Sequence, residues 1–389
     1  MIITSNAFIN SMLSPLKTLY LKIELYNSKM EYIKDITQQV GSDIGTLAIN
    51  GDSPIRRSFS INLDNSKSEY LFGEDKLIWI DKRLKLYIGL DSYNQKIEYV
   101  PLGLFVLTEP VSTHSTSEMT TEINAVDKAY FLTDKRGKFI NEQIIQTGTK
   151  ITDAIRLIAS HVGETMFNFD VVTDTLPYEL TYSGTDNRWD AIKELASIAK
   201  CTIYYDVDGY LRLKKIDLNQ FETEPITWEY KLGQREYAGS QRKFNDGNLY
   251  NDIVVLGGSS DTATSSYRLT VDETNPLWAD HPYSVQKIGY CTYFHNNGNP
   301  DPILLNEDDC KFRAKYELMN RLGFTEDVQM YATPNYLHDA DDVISLEHLE
   351  NGIEKDKFVI RSITMPLSPS IMTMSVVRYE RVIENWNFI

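Results

Sequence analysis

The sequence predicts a mainly β fold with a smaller α+β part, in which two β-barrel modules flank an inserted helix-hairpin unit. Apolar residues alternate with polar ones through about the first 130 positions. They recur at helical spacing at 151–162 and 187–200, and alternate again from Ile226 onward. We therefore expect a β-barrel domain at residues 1–135, a small α+β domain at 136–220, and a second β-barrel domain with one long helix at 221–389.

The composition is that of an ordinary globular protein. The 389 residues suffice for two or three domains, and 42% hydrophobic with 24% charged residues is neither a disordered nor a fibrous balance. A net charge of −16 disfavours a surface that grips phosphates, because such surfaces rely on Lys and Arg. Cys201, Cys291 and Cys310 have no CxxC spacing, so we expect neither a disulfide framework nor a cysteine zinc site.

The N-terminus has neither the charged n-region nor the unbroken apolar h-region of a signal peptide. No stretch of about 18 apolar residues occurs in the sequence. We expect a chain that is not exported by a leader, does not insert into a membrane, and is made in a reducing compartment.

The N-terminal part predicts an antiparallel sheet. Leu19–Tyr26 alternates as LYLKIELY and residues 57–63 alternate as RSFSINL, so each segment puts one residue in two on an apolar face. Residues 84–90, 103–108 and 120–126 continue the pattern, and Gly, Asn, Asp and Pro fill the gaps. Five half-buried strands are predicted here.

The first helix of the inserted unit is predicted from its apolar spacing. Ile151, Ile155, Ile158 and Val162 share one helical face, and Gly163 lies where a left-handed C-cap would sit.

The second helix is predicted at 187–200, with Trp189 on its apolar stripe and Asp186 or Thr185 as its N-cap. A hairpin follows it directly. Its first strand, its turn and its return strand are predicted at 202–205, 206–209 and 210–214.

The C-terminal part is again mainly strands. They are predicted at 251–256, 267–271, 286–293, 342–346, 358–364 and 372–378. One helix interrupts them: Asn306 caps it, Glu307, Asp308 and Asp309 fill its first turn, and Gly323 lies just past its end. This charge order favours the helix dipole.

A short pattern occurs twice. Phe105 precedes Met119 by the same distance as Phe358 precedes Met372, and the flanking strands and polar turns are alike. Two copies of one β module near the two ends of the chain would explain it. Chance similarity between two three-stranded meanders is the alternative.

The histidines and acidic residues do not form a recognisable site. His338 and His348 lack HExxH or HxH spacing, and we assign His338 to a turn. The run Asp339, Asp341, Asp342 lacks the order of a calcium loop, so we interpret it as a solvated turn.

The remaining candidates also favour structural roles. Asp206, Asp208 and Gly209 lie between two strands, where an Asp-Gly hairpin turn is expected. The other four histidines are isolated and are expected at the surface or at interfaces: His114, His161, His281 and His295.

No sequence motif indicates catalysis. There is no GxSxG, Walker or GxGxxG motif, although 55 acidic residues leave a glycosidase-like carboxylate pair open. We predict a protein that is not an enzyme and has no catalytic residue, no cofactor and no metal.

Four segments, taken together, resemble the hub proteins of bacteriophage tails, a family that includes baseplate hubs, tail-tip hubs and the hub half of type VI secretion spikes. They are residues 53–63 with 85–106, residues 183–213, 250–257 and 342–378. The second is the most specific, because a Trp-bearing helix, a turn and a hairpin occur at fixed offsets. The signature positions within the segments are Arg56, Arg57, Trp189, Asp206, Asp208, Gly209, Asn251, Gly257 and Phe358.

The resemblance implies two tail-tube-like barrels per chain, and in a homotrimer a ring of six barrels. It implies a structural hub at the distal end of the tail tube that joins the tube to the tail tip or baseplate and lets DNA pass without specific binding. Implied partners are the tail tube or distal tail protein, the tail-tip, spike or receptor-binding proteins, and the tape-measure protein. The implied location is the virion tail tip or baseplate, after assembly in the host cytoplasm.

Two other readings remain open at this point. A host-attachment β-protein that binds or hydrolyses carbohydrate is the alternative of a different class. A type VI or injection spike component would carry a β-helical needle, whose repeats we do not find in the sequence. Because the chain reaches Ile389 soon after the predicted closing barrel, we expect wall degradation to belong to partner proteins.

Overall fold

The computed structural model describes residues 1–14, 17–40, 45–91, 96–116, 119–218, 224–259, 262–323 and 326–378. The predicted domain boundary at 220 and the end of the predicted second barrel, residues 379–389, lie outside the described residues.

The strands of the N-terminal part are β1 (Leu19–Tyr26), β2 (Tyr32–Asp35), β3 (Thr46–Asn50), β4 (Arg57–Asp64), β5 (Arg83–Asp91), β6 (Ile97–His114) and β7 (Met119–Val126). Those of the middle part are β8 (Gln143–Ile145), β9 (Phe167–Phe169), β10 (Leu180–Tyr182), β11 (Cys201–Tyr205) and β12 (Leu211–Lys215). Those of the C-terminal part are β13 (Trp228–Lys231), β14 (Tyr237–Phe244), β15 (Asp252–Ser259), β16 (Thr262–Thr270), β17 (Thr292–Phe294), β18 (Glu326–Ala332), β19 (Val343–His348), β20 (Ile353–Pro366) and β21 (Met372–Arg378).

Helices are fewer in the part of the chain that the structure describes. They are α1 (Asn6–Leu13), α2 (Ile151–Ser160), α3 (Arg188–Ile198), α4 (Val285–Ile288) and α5 (Glu307–Gly323). None of these described helices has both the length and the apolar character that crossing a membrane requires.

One sheet of 13 strands runs through both the N-terminal and the C-terminal parts. Its order is β14-β18-β21-β20-β3-β4-β7-β6-β5-β1-β2, and β19 pairs with β20 and carries β13 on its other side. The pairs are antiparallel except β13 with β19. The two parts join where β20 pairs with β3, from Ser362 opposite Asn50 to Pro366 opposite Thr46. A mainly β fold is therefore confirmed.

The strand order contains the same arrangement twice. We call β3 to β7 the N-terminal module, with order β5-β6-β7-β4-β3, and β14 with β18 to β21 the C-terminal module, with order β19-β20-β21-β18-β14. The central strands β6 and β20 each shift register where they pair with the next strand, at Thr108 and at Ile360. The sequence repeat around Phe105 and Phe358 thus lies in equivalent hairpins. Closure of each module into a barrel stays a prediction.

Four hydrophobic clusters form the core of the part of the chain that the structure describes. The largest combines side chains of both modules, from Phe8 to Val376. The second lies in the inserted unit, between Ala129 and Leu213, and the third packs α5 against β15 and β16. The fourth consists of Val343, Val359 and Val377. Residues 221–389, predicted as one domain, therefore contribute to three separate clusters.

Two local predictions were wrong. Residues 286–293 form the end of α4 and the start of β17 rather than one strand, because Gly289 ends the helix at φ +78°. The N-cap of α3 is Asn187, whose side-chain oxygen accepts from the Trp189 N–H at 2.9 Å. Asp186 is unavailable for that role since its carboxylate accepts from the Ser183 N–H at 2.7 Å.

Candidate functional site: a buried arginine-aspartate junction

Arg57, the first residue of β4, connects three parts of the chain. It is 2% exposed. Its backbone N–H donates to Asp127 Oδ2 at 2.8 Å, and its guanidinium donates to the Tyr205 carbonyl at 2.8 Å and to the Asp339 carboxylate. One side chain of the N-terminal module thereby holds the hairpin of the inserted unit and the segment that leads into β19.

Arg56 makes a second set of contacts to the same segment. Its guanidinium donates to the Ala340 carbonyl at 2.5 Å and to Asp341 Oδ2 at 3.0 Å. It also lies over the Tyr204 ring, 4.2 Å from the ring centroid. A planar guanidinium can donate at its edge and stack on its face at once, which a lysine cannot reproduce.

The acidic run at 339–342 forms a turn, as predicted, because the Asp342 N–H donates to the Asp339 carbonyl at 3.3 Å, but its carboxylates are bound by protein groups rather than left to solvent. Asp339 binds Arg57 and lies 3.6 Å from the Arg56 Nε, and Asp341 binds Arg56. Asp342 is buried and accepts from the Asp339 N–H at 2.8 Å. Arginines that lie far away in sequence bind Asp339 and Asp341, whose side chains are 19% and 38% exposed. We refer to Arg56, Arg57, Asp127, Asp339 and Asp341 as the arginine junction.

The junction shifts the proton affinity of its groups. Burial alone would raise the pKa of Asp339, but Arg57 and Arg56 outweigh it and hold that pKa below its usual range. Burial opposes the charge of Arg56, yet Asp339 and Asp341 raise its pKa above the ordinary value. Burial raises the pKa of Asp127 to about 6, although two N–H groups donate to it. Asp339 and Arg56 are therefore ionised inside the protein at neutral pH.

His338 lies beside the junction in a turn, as predicted from the sequence, because its N–H donates to the Asn335 carbonyl at 3.3 Å, and its side chain is buried. It is 1% exposed, and its Nε2 lies 2.8 Å from the Tyr230 hydroxyl and 3.1 Å from Asn335 Nδ2. Burial lowers its pKa, so the ring is neutral at neutral pH. The imidazole thus joins β13 to the segment before β19.

Asp206, Asp208 and Gly209 form the turn between β11 and β12, as predicted. Asp206 Oδ1 accepts from the Asp208 N–H at 3.1 Å and from the Tyr210 N–H at 2.8 Å, while Asp208 is exposed. Gly209 has φ +82°, and a Cβ there would lie 2.4 Å from Leu104 Cδ2. This glycine lets the turn rest against β6 of the N-terminal module.

Trp189 anchors α3 in the core of the inserted unit. It is 3% exposed and stacks on Tyr205, with 6.5 Å between ring centroids. The Tyr205 hydroxyl donates to Glu164 at 2.8 Å, and Glu164 also accepts from Lys128 at 2.8 Å. Because the Tyr205 carbonyl accepts from Arg57, this one tyrosine joins α3 to the arginine junction.

Asn251 fixes the segment between β16 and β17. Its side chain is fully buried, donates to the carbonyls of Tyr283 and Gly289 at 2.9 Å each, and accepts from the Cys291 N–H at 2.8 Å. Both polar atoms of the amide have partners. Asn251 therefore has a structural role in the third cluster, distant in sequence from the junction.

Gly257 and Phe358 are packing positions. A Cβ at Gly257 would lie 2.3 Å from the Leu304 carbonyl oxygen and 2.9 Å from Cys310 Sγ, so only glycine lets α5 approach β15 this closely. Phe358 is fully buried in the shared core of the two modules, as is its counterpart Phe105. The structure gathers Arg56 and Arg57 with the hairpin residues, and it places Asn251, Gly257 and Phe358 elsewhere.

Sequence reasoning missed two buried carboxylates. Asp127 accepts from the Arg57 and Ala129 N–H groups. Asp252 is fully buried and binds both Nε and Nη2 of Arg268 at 2.8 Å; burial would raise its pKa, but these hydrogen bonds keep it low. The available signal was an Asp placed directly beside an apolar strand in NAVD and in NDIVVL.

The arginine junction is suited to holding the N-terminal module, the inserted unit and the segment before β19 together. Its carboxylates are bound by guanidinium or backbone N–H groups. Among the described residues, no group of three or more His, Cys, Asp or Glu side chains could hold a metal ion.

The fold of this chain is similar to the folds of two solved tail proteins and of a chain in a VgrG complex. The tail protein from Neisseria meningitidis MC58 has a TM-score of 0.62 at 11% identity, covering 93% of this chain and 97% of that chain.

Two further structures agree with it. The 43 kDa tail protein of prophage MuSo2 from Shewanella oneidensis has a TM-score of 0.57 at 11% identity, covering 92% of this chain and 98% of that chain. The lidded PdpA-VgrG complex of Francisella has a TM-score of 0.55 at 11% identity, covering 98% of this chain and 54% of that chain. The resemblance to the tail hub family is thereby confirmed at the level of the fold.

Neither a family model nor a curated protein matches the sequence. The likeness is one of structure.

Proposed function

We propose that this chain is a structural hub at the distal end of a bacteriophage tail tube. The observation that carries the proposal is the pair of equivalent β modules joined through β3 and β20 in one chain. Three such chains would present six modules around an axis, which adapts a sixfold tube to a threefold tip. The similar folds of two tail proteins, one of them from a prophage, support the proposal, since each match covers more than nine-tenths of this chain and of the matched chain.

In this proposal the homotrimer is assembled in the host cytoplasm and becomes part of the virion tail tip or baseplate. On one side the trimer contacts the tail tube or distal tail protein. On the other side it contacts tail-tip, spike or receptor-binding proteins. The end of the tape-measure protein also contacts it. DNA passes without specific binding. A net charge of −16 per chain supports this, because carboxylates on the inner wall would keep like charge facing like charge.

The arginine junction has a mechanical role in the hub. The guanidinium groups of Arg56 and Arg57 bind the N-terminal module to the inserted unit and to the C-terminal module. These contacts resist displacement because a buried charge that loses its partner is strongly destabilising. The relative placement of the two modules is thereby fixed before the ring forms.

The test uses the purified chain and its tail tube protein. Native mass measurement should give three chains, and the trimer should bind tubes at one end only in electron micrographs. A monomer that leaves the tube unbound at high concentration would rule out the ring. A glycan array and a turnover assay on cell-wall polymer separate the alternative: a hub gives no signal, whereas a carbohydrate-binding or hydrolytic protein does.

A further inference from the structure

His295 follows β17 directly and lies between two carboxylates. Its Nε2 is 2.8 Å from Asp301 Oδ2, and its Nδ1 is 3.4 Å from Glu317 Oε1 in α5. A neutral imidazole carries only one N–H, so the lone pair of its other nitrogen would point towards a carboxylate. An imidazolium has one N–H for each of the two carboxylates. The geometry therefore favours the protonated ring.

The balance of burial and charge at His295 agrees with this geometry. Burial would lower the pKa of His295, but its contacts with Asp301 and Glu317 outweigh burial and hold that pKa above its ordinary value. Arg313 of α5 acts in the opposite direction. Because the folded pKa lies above the unfolded value of 6.5, the stabilisation is full below pH 6.5 and is lost as the pH rises through the folded pKa.

The next charges around the ring are already paired. Arg321 of α5 contacts Glu317 at 3.3 Å. β15 packs against the turn at 295–298, and its one charged residue, Asp252, is bound by Arg268. These arginine pairs keep their charges over the range in which an imidazole titrates, so the ring is the group that changes.

The segment that His295 holds forms one wall of a cleft. Residues 303–305 and the start of α5 face residues 173–177 and the end of α3 in the inserted unit, across a volume of about 430 Å³. Lys200 crosses the cleft to Asp309 at 2.8 Å. The placement of this wall therefore decides how the inserted unit meets α5.

The backbone of the segment is strained at one end. Asn296 and Asn297 have φ of +49° and +53°, a left-handed conformation that costs free energy in residues other than glycine. At the other end, the Asp301 N–H donates to the Leu256 carbonyl at 2.9 Å, and its carbonyl accepts from the Gly258 N–H at 3.2 Å. The contacts of the His295 ring help to offset the strain.

Loss of the ring proton has a consequence on both sides of the segment. A neutral ring donates to Asp301 or to Glu317 but not to both, so one buried carboxylate loses its partner. The charge of Asp301 also acts across the cleft, since burial and, after it, Asp301 raise the pKa of Glu194 in α3. With less positive charge beside Asp301, the repulsion between these two carboxylates increases.

We propose that His295 is a pH-sensitive latch: its protonated ring holds the segment 295–305 to α5, and loss of the proton frees this wall of the cleft. The latch is a property of the single chain and does not depend on the proposed ring of subunits. It opens on the alkaline side of neutrality.

Hydrogen exchange of the full chain, read by mass spectrometry at about pH 6 and about pH 9, tests the latch. After the exchange times are scaled for the intrinsic pH dependence, the Gly258 and Asp301 amides should exchange at least about threefold faster at the higher pH. In His295→Gln, which has no ring to protonate, the scaled rates should be equal and fast at both pH values. His161→Gln, at the exposed end of α2, is the matched control and should keep the difference.

Circular dichroism establishes that the variants fold. Glu317→Gln is the second variant: it removes one of the two carboxylates and should move the opening to a lower pH. An unmodified chain whose scaled rates agree at both pH values would overturn the latch, as would a folded His295→Gln chain that keeps the difference or a Glu317→Gln chain that opens at the original pH. None of these results bears on whether the chain forms a ring.

Discussion

At the scale of single residues, Arg57 shows what a buried charge requires. Removing one partner from such a pair leaves an uncompensated charge, which is costlier than losing the pair. Arg57→Ala would leave Asp339 with Arg56 alone and the Tyr205 carbonyl without its donor. We expect a loss of about 3–5 kcal/mol in the free energy of unfolding, measured in urea.

An exposed ion pair in the same protein provides the control for Arg57→Ala. Arg156 contacts Asp153 on the surface of α2, with side chains 46% and 60% exposed. Arg156→Ala should change the free energy of unfolding by less than about 1 kcal/mol. Equal losses in the two variants would show that the junction contributes no more than a surface pair.

His338→Ala tests the buried imidazole. The change removes the partner of the buried Tyr230 hydroxyl and leaves a cavity, so we expect a loss of about 2–4 kcal/mol and a lower thermal midpoint. Asp208→Ala, at an exposed turn position, should leave the midpoint where it is. An unchanged midpoint in both variants would show that the buried imidazole adds nothing to the stability of its turn.

His281 gives a pH dependence. Burial lowers the pKa of His281 to about 4, and its Nδ1 accepts from the Tyr283 N–H at 3.2 Å. Because the folded pKa lies below the unfolded value of 6.5, its stabilisation is full above pH 6.5 and is lost as the pH falls towards 4. We expect about 1 kcal/mol less stability at pH 5 than at pH 7 from this group, after discounting for solvent. His281→Asn keeps the acceptor and should remove that part of the pH dependence, whereas an unchanged dependence would contradict it.

At the scale of elements, Gly209 connects a hairpin to a neighbouring module. Gly209→Ala should combine the strain of φ +82° with a clash against Leu104, whereas Gly148 has φ +81° and nothing within 4 Å of a Cβ. We expect Gly209→Ala to lower the free energy of unfolding by about 1–3 kcal/mol more than Gly148→Ala. Equal effects in urea unfolding would mean that the packing on β6 adds nothing.

Elements with one buried and one exposed face could be predicted from the sequence. Elements that lack a buried face, or that are very short, could not. β4 buries every second residue, so its alternation was visible in RSFSINL. β14 is exposed over most of its length, and an edge strand without a buried face has no periodic pattern. α4 spans four residues, too few for helical spacing to appear. The Asp-Gly turn was predictable because its chemistry is local.

The junction lay beyond sequence reasoning for a different reason. Arg56 and Arg57 were singled out from a resemblance, but their partners Asp339 and Asp341 lie in the other module. A pairing across that separation leaves no local pattern, so the acidic run was taken for a solvated turn. Only the folded chain shows that the charges neutralise each other.

At the scale of the whole molecule, the account depends on two equivalent modules in one chain acting as neighbours in a ring. One sheet runs through both modules, and the arginine junction binds the N-terminal module to the segment that leads into β19 of the C-terminal module. A reconstruction of the intact tail by electron cryomicroscopy tests this most directly. The account predicts three copies of this chain, with six modules around the axis, at the distal end of the tube and with carboxylates lining the channel. Density for the chain at any other position on the particle, or none at all, would contradict it.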